Sequence, residues 1–405
     1  MTRFLLVLLL LLTPAIPALA GAINLNRGVA LDTWLTWPGD ERLADPALIQ
    51  GFPEWRATVT DTDLASLKAA GFDFVRMPLD PAVFLLPANR TKWGKLTKGM
   101  MEAVRRVEAA GLKVVVDLHA MPVSAGWKSQ GIEAYLASDT AFADYQKLVA
   151  HIGKALSAEN PGRVAFEPMN EPTSDCDWGH NGEKSTWQAM AQKLHATART
   201  AAPELTLILS GACWGGAWGL SHLDPRPLQD ENILWSFHNY EPFIFSHQGA
   251  SWTGGPETHV SGLSYPPDRK QRKNILKAAE ERIAAADLNK AQKAKLLKEL
   301  RYNIDQYMSR PRREMDKSFA TVAKWAKKYS IPPARIFLGE FGANRARSPE
   351  LDDASRARFF QDIRIRAERA GYAWSVWAWS GSFGIASRNE GHDVAPALRV
   401  GLGLQ

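Results

Sequence analysis

Eight short runs of apolar and β-branched residues recur along this chain: Ile23–Leu31, Phe72–Pro78, Leu112–His119, Val164–Asn170, Leu205–Ser210, Ile233–Tyr240, Ile336–Phe341 and Ala373–Trp379. Several are almost unbroken, as Lys113-Val114-Val115-Val116-Asp117 is. That is the pattern of parallel strands covered on both faces. Longer stretches with helical spacing separate most of them, at 61–70, 98–110, 140–156, 184–201, 316–329 and 353–370. The first opens on Asp61 as its cap and carries Leu64 and Leu67 on one face. Two of the others end at Gly111 and Gly371, residues suited to close a helix. Strands alternating with helices make a parallel sheet. Eight such units are the number that closes an α/β (β/α)8 TIM barrel. An open doubly wound sheet is the competing architecture.

One interval breaks the rhythm. Between the sixth and seventh strands lie far more residues than one crossover needs. Residues 249–267 are rich in Gly, Ser, Thr and Pro and read as loop. Residues 270–309 read as charged amphipathic helices, with Ile275, Ala279 and Ile283 on one face and Leu296, Leu300 and Ile304 on another. A helical insertion at about 249–310 is therefore expected. It forms either a small subdomain over the strand ends or, the reading favoured here, a solvated hairpin packed on the side of the barrel.

Composition adds bounds. A chain of 405 residues would by length alone suggest more than one domain, but barrels with insertions reach this size as one, so residues 21–405 are read as a single catalytic domain. Arg3, the apolar run Phe4–Leu12 and the small-residue site Ala18-Leu19-Ala20 read as a secretory signal over residues 1–20. The run is too short for a comfortable membrane span. The mature protein is expected to be secreted or periplasmic, without stable membrane insertion, and monomeric. The net charge of +6 is concentrated in residues 268–328. No phosphate loop, zinc-finger spacing or helix-turn-helix signature accompanies it, so no nucleic-acid partner is expected.

In a barrel, reactive groups sit at the C-terminal ends of strands. Here those ends carry Arg76, His119, Asn170 with Glu171, His238 with Tyr240, Glu340, and Trp377 with Trp379. Packing alone does not explain ionisable groups at so many strand ends. Glu171 and Glu340 stand on strands four and seven, facing each other obliquely. Two carboxyl groups flanking one bond are what cleavage of a glycosidic linkage requires.

The ordered motifs resemble those of the cellulase-like glycoside hydrolases, family 5. Asn170-Glu171-Pro172 is similar to that family's strand-four motif, and Leu338-Gly339-Glu340-Phe341-Gly342 to its strand-seven segment. Val75-Arg76-Met77-Pro78, Asp117-Leu118-His119, Phe237-His238-Asn239-Tyr240 and Trp374-Ser375-Val376-Trp377 resemble its signatures on strands two, three, six and eight. The resemblance implies a retaining glycosidase. Glu171 would be the general acid/base, its pKa raised, and Glu340 the ionised nucleophile, held by Arg76 and Tyr240. Asn170 would bond the sugar 2-hydroxyl, His119 and His238 would contact substrate or support those that do, and Trp377 would stack on the sugar at the cleavage point. This chemistry needs neither metal nor cofactor.

Of the fifteen tryptophans, several fall in loops on the reactive face. Trp34, Trp178 and Trp214 are the first candidates for sugar platforms. Cys176 follows strand four and Cys213 follows strand five, in neighbouring loops, so a disulfide bracing the loop beside Glu171 is expected. The partner is a polysaccharide or oligosaccharide, with an endo-β-1,4-glucanase as first reading. A β-1,3- or β-1,6-glucanase, an exo-glucosidase and a mannanase share the same machinery. A non-catalytic polysaccharide-binding or export-accessory protein is the reading from another class.

Overall fold

The computed structural model describes residues 22–32, 34–36, 59–120, 138–174, 176, 186–345, 353–386 and 393–405. The segment 1–20, expected to be an export signal, and Trp178 lie outside them. Eight strands form and close into a parallel barrel in chain order. They are β1 Arg27–Ala30, β2 Phe74–Leu79, β3 Lys113–Leu118, β4 Val164–Glu167, β5 Thr206–Ser210, β6 Ile233–His238, β7 Ile336–Glu340 and β8 Ala373–Val376, with β8 pairing back onto β1. Around them run α1 Asp61–Ala70, α2 Trp93–Ala109, α3 Asp139–Leu156, α4 Thr186–Ala201, the short α5 Ala217–Ser221, α6 Arg272–Ala285, α7 Lys290–Ser309, α8 Arg313–Lys328, α9 Asp353–Ala370 and the terminal α10 Pro396–Gly401.

Local chemistry sets these ends. The cap of α1 is Thr60, one residue before the Asp61 that the sequence suggested. The Thr60 hydroxyl accepts from the Asp63 amide, and the Asp63 carboxylate accepts from the Thr60 amide. This reciprocal pair satisfies two amides that the first turn leaves without partners. Asp61 then lies inside the first turn, where its charge suits the helix dipole.

The barrel interior is built in layers, because inward positions recur every second residue. Near the N-terminal ends, Phe74, Val115, Ala165, Ile208, Leu234, Phe337 and Ala373 form an apolar plug with Ile23 and Leu25 beneath it. Two residues further along, the inward positions are Arg76, Asp117, Glu167, Ser210, Ser236, Gly339 and Ser375, all buried. The interior thus changes from apolar to polar within one layer, and the polar layer is the floor of the mouth.

A β-bulge completes that floor. Phe237 pairs with Leu338, but His238 pairs with Glu340, so Gly339 is the extra residue of β7. The slip brings the Glu340 side chain level with His238 at the mouth. Only glycine suits the position between: a Cβ on Gly339 would lie 2.5 Å from Ser236 Oγ and 2.8 Å from His238 Nε2.

The segment between β6 and β7 is a helical hairpin. Ile275, Ala279 and Ile283 of α6 and Leu300 and Ile304 of α7 are buried, and Leu296 is partly so. It leans on the loop that follows β6. The Tyr307 ring stacks on Phe245 with centroids 6.0 Å apart, and the Tyr307 hydroxyl donates to Ser264 O.

Candidate active site

Arg76 organises the mouth. It reaches up from β2 with no exposed surface, and its planar fork addresses four partners. Nε donates to Glu167 Oε2 at 2.7 Å, Nη1 to Glu340 Oε1 at 2.6 Å, and Nη2 to Asn170 Oδ1 at 2.6 Å. Nη2 also lies 2.9 Å from Asp117 Oδ2. The surrounding carboxylates raise its pKa well above the ordinary value, despite burial. The guanidinium is therefore a fixed charge.

Glu340 receives two further contacts. The Tyr240 hydroxyl donates to Oε2 at 2.7 Å, and His238 Nδ1 stands 3.6 Å from the same oxygen. Burial pushes the Glu340 carboxyl up. The charges of His238 and Arg76, with the Tyr240 bond, outweigh burial and hold it below the usual carboxylate range. Burial and the two nearby carboxylates push the Tyr240 hydroxyl well above its ordinary value, so it stays a donor.

Glu171 occupies a different setting. Its side chain keeps 22% of its surface exposed, against 4% for Glu340. Its backbone φ is 40°, a left-handed conformation that costs an ordinary residue about 1–2 kcal/mol. Such outliers persist where surrounding structure holds them, often at functional sites. His238 Nδ1 lies 2.7 Å from Glu171 Oε1 and donates its proton there. Burial pushes the His238 imidazole down, and the carboxylates of Glu340 and Glu171 more than reverse this, favouring the cation.

The other strand ends frame this pair. Asp117 Oδ2 is 2.7 Å from His119 Nδ1, and a proton on that nitrogen leaves His119 Nε2 to accept from Asn170 Nδ2 at 3.2 Å. The same contacts orient Asn170. Trp377 lies nearly parallel to the His119 ring, centroids 5.1 Å apart at 14°, and remains partly exposed. On the Glu171 side, Cys176 and Cys213 form a disulfide with Cα atoms 4.6 Å apart. Cys213, Trp214 and Gly215 have φ of 52°, 61° and 62°. The Cys213 and Trp214 amides donate to Ser174 O and Pro172 O. This left-handed turn leaves Trp214 45% exposed within reach of the residue after Glu171.

One oxygen of Glu171, one of Glu340 and one His238 nitrogen all lie within 4.8 Å of one another. An approach of this order suits a double displacement, for which carboxyl groups about 5–5.5 Å apart are usual. The same three atoms are a possible cation site. Arg76 already places a permanent positive charge 2.6 Å from Glu340, and the His238 nitrogen that would ligate is committed to Glu171. The donor set suits a proton better than a metal.

A family model for cellulase, glycosyl hydrolase family 5, matches residues 44–382. The chain belongs to glycosyl hydrolase family 5. Among family-5 relatives, Endoglucanase 3 of Fibrobacter succinogenes is 28% identical over 263 residues, covering 62% of this chain and 36% of that protein. Endoglucanase C of Acetivibrio thermocellus is 24% identical over 327 residues, 79% of this chain and 83% of that one. The chain thus spans about a third of the first relative and most of the second. Among solved structures, cellulose synthase subunit Z of Clostridioides difficile shares the fold at a TM-score of 0.63, with 22% identity over 93% of this chain and 99% of that one.

Of the residues singled out in the sequence of this family-5 barrel, the structure gathers Arg76, His119, Asn170, Glu171, His238, Tyr240, Glu340 and Trp377 into one mouth. Trp34 is a correction. Its ring is fully buried and the Arg106 guanidinium lies 5.2 Å from its centroid, so it offers no face to a sugar. Its place in a loop after β1 does not tell which way the ring points. Two groups went unassigned, Asp117 and Glu167. Both are carboxylates inside apolar strands, and their position two residues beyond an apolar inward residue was the available signal.

Proposed function

We propose that this chain is a retaining endo-β-1,4-glucanase, with Glu340 as nucleophile and Glu171 as general acid/base. The observation that carries the reading is the asymmetry of the two carboxyls. Glu340 is buried, charged and bonded by Arg76 and Tyr240, whereas Glu171 is part-exposed and bonded by one imidazole. Glu340 attacks the anomeric carbon as Glu171 gives its proton to the leaving oxygen. A covalent glycosyl-enzyme forms and the leaving sugar departs. Glu171, now ionised, takes a proton from water, whose oxygen attacks the same carbon and frees Glu340. His238 donates to Oε1 of Glu171, which leaves Oε2 to carry the transferred proton. Asn170, oriented by Arg76 and His119, bonds the 2-hydroxyl, and Trp377 supports the sugar on the Glu340 side. Trp214 stands beside Glu171 and so supports the departing sugar.

Two variants probe these roles. Tyr240→Phe removes a donor that lowers the Glu340 pKa, so the acid limb of kcat/KM moves to higher pH. Turnover falls about tenfold to a hundredfold, the worth of one hydrogen bond to a charged group; a pH–rate profile measures both. Trp214→Ala weakens binding of the leaving sugar, worth about 1 kcal/mol or more. Its kcat/KM on cello-oligosaccharides falls roughly fivefold to tenfold, while aryl cellobiosides, which have no leaving sugar, change little. An equal loss on both substrates would remove Trp214 from that role.

The substrate is tested by incubating the protein with defined β-glucans and β-mannan. An endo-β-1,4-glucanase lowers the viscosity of a soluble cellulose derivative before reducing ends accumulate, and releases mixed cello-oligosaccharides. Glucose alone, or activity confined to β-1,3-glucan or mannan, would overturn the assignment. The N-terminal reading accords with export of a monomer acting on polysaccharide outside the cytoplasm, and no helix among the described residues is long and apolar enough to cross a membrane.

A further inference from the structure

We propose that Glu167 is a positioning residue that carries a proton in the working enzyme, anchoring Arg76 as a neutral acid so that the guanidinium charge is left to Glu340 and Asp117. The balance of buried charge around Arg76 carries this assignment. Arg76 is surrounded by three carboxyl groups, Glu167 from β4, Asp117 from β3 and Glu340 from β7, whose side chains are 0%, 0% and 4% exposed. His238, on β6, adds a second cation between Glu340 and Glu171. His119, at the end of β3, stands beside Asp117, which favours its cation. Asn170 decides its state: with Oδ1 turned to Arg76, Nδ2 faces His119 Nε2, which must accept and so carries no proton. Without counting Glu171, which lies nearer solvent, the buried cluster has two positive charges, Arg76 and His238, and two negative ones, Asp117 and Glu340. An ionised Glu167 would leave an unbalanced charge where water cannot screen it, a costly arrangement.

The bonds to Glu167 agree with this count. Its side chain accepts from Arg76 Nε through Oε2. Oε1 is buried with no hydrogen-bond partner among the described residues, as are Asp117 Oδ1 and the hydroxyls of Ser210 and Ser236. Asp117 differs in its other oxygen, which faces two donors, Arg76 Nη2 at 2.9 Å and His119 Nδ1 at 2.7 Å, whereas Glu167 has the one bond from Nε; a buried carboxylate with fewer donors costs more to ionise. The carbonyl of a neutral acid is enough to receive the Nε proton. Burial pushes the Glu167 carboxyl up from 4.5 to about 7, with Asp117 adding to the rise and Arg76 and His238 opposing it. The neutral form therefore dominates at mildly acidic pH. Were Glu167 ionised there, it would compete with Glu340 for the guanidinium and raise the nucleophile's pKa.

The test uses the whole enzyme with Glu167→Gln and Glu167→Ala. Gln keeps a carbonyl for Arg76 Nε and mimics the neutral acid; Ala leaves Nε unpaired. Glu167→Gln is expected to restore most of the turnover lost in Glu167→Ala, measured at pH 6. Infrared spectra at pH 6 should show a protonated-carboxyl band in the wild type that is missing from Glu167→Gln. Thermal unfolding adds a sign. A carboxyl whose folded pKa is raised contributes stability below its unfolded value, and this is lost as pH rises through the folded one. Between about pH 4.5 and 7 the wild type should therefore lose Tm relative to Glu167→Gln, by roughly 2–5 °C. The infrared and unfolding measurements do not depend on the assigned reaction, so they separate this proposal from the catalytic one. If Gln is as damaging as Ala, if no band is lost, or if the Tm difference is flat with pH, Glu167 is an ionised partner of Arg76 and the proposal is wrong.

Discussion

Glu340→Gln is expected to lower kcat on a β-glucan by about four orders of magnitude or more, the scale at which loss of a covalent nucleophile is felt. The substituted amide would fill the same space, its oxygen accepting from Arg76 while its NH2 donates to the Tyr240 hydroxyl, so the fold and substrate binding should change little. What it lacks is the anionic oxygen that forms the bond. The loss should appear in kcat with KM nearly constant, the pattern of an interaction made at the transition state. Azide distinguishes the two carboxyls. With Glu340→Ala and a substrate bearing a good leaving group, azide enters the space of the lost carboxylate and gives a product of inverted anomeric configuration. With Glu171→Ala the covalent intermediate still forms, and azide attacks it to give the retained configuration. Product analysis by NMR reads the difference, and exchanged outcomes would exchange the roles.

Arg76→Met is expected to have the largest effect on stability. The substitution keeps length and apolar packing but removes the one permanent cation among Asp117, Glu167 and Glu340. Breaking a buried ion cluster by taking one partner costs about 3–5 kcal/mol, because the remaining charges are left uncompensated. The pH dependence follows from Glu340. Its carboxyl is held below the ordinary value of 4.5, so it contributes stability above that pH which is lost as pH falls through the folded value. Arg76 is one cause of that depression. The deficit of the variant should therefore be greatest near neutrality and shrink as pH falls from about 4.5 towards about 2, where Glu340 becomes protonated in the wild type as well. Urea unfolding at pH 7 and near pH 2.5 checks this. Arg76→Lys should not rescue it, since one ammonium cannot meet four oxygen partners in the guanidinium's planar geometry. A deficit independent of pH would mean that packing dominates.

The barrel was legible because parallel strands buried on both faces leave continuous apolar runs, and the ends of those runs locate the mouth. Arg76, Glu171 and Glu340 could be found in this way. The layer beneath was not. Glu167 in Val-Ala-Phe-Glu reads equally as the outward end of a strand, and its inward direction depends on register with β3, where it pairs with Asp117. The alignment of Glu340 with His238 depends on a one-residue bulge at Gly339, which single-strand periodicity does not reveal. Trp34 and Trp214 both sit in loops after strands. One is buried beneath Arg106 and the other is held out by a left-handed turn, and that difference lies in tertiary packing and backbone conformation.

The central claim is that Glu340 becomes covalently bonded to the sugar. A 2-deoxy-2-fluoro cellobioside with a good leaving group slows both chemical steps and lets the intermediate accumulate. After proteolysis, mass spectrometry should find the fluorinated disaccharide on the peptide containing Glu340, with the label absent from Glu340→Gln. A label on the peptide containing Glu171, or full inactivation with no sugar attached to either, would contradict the account.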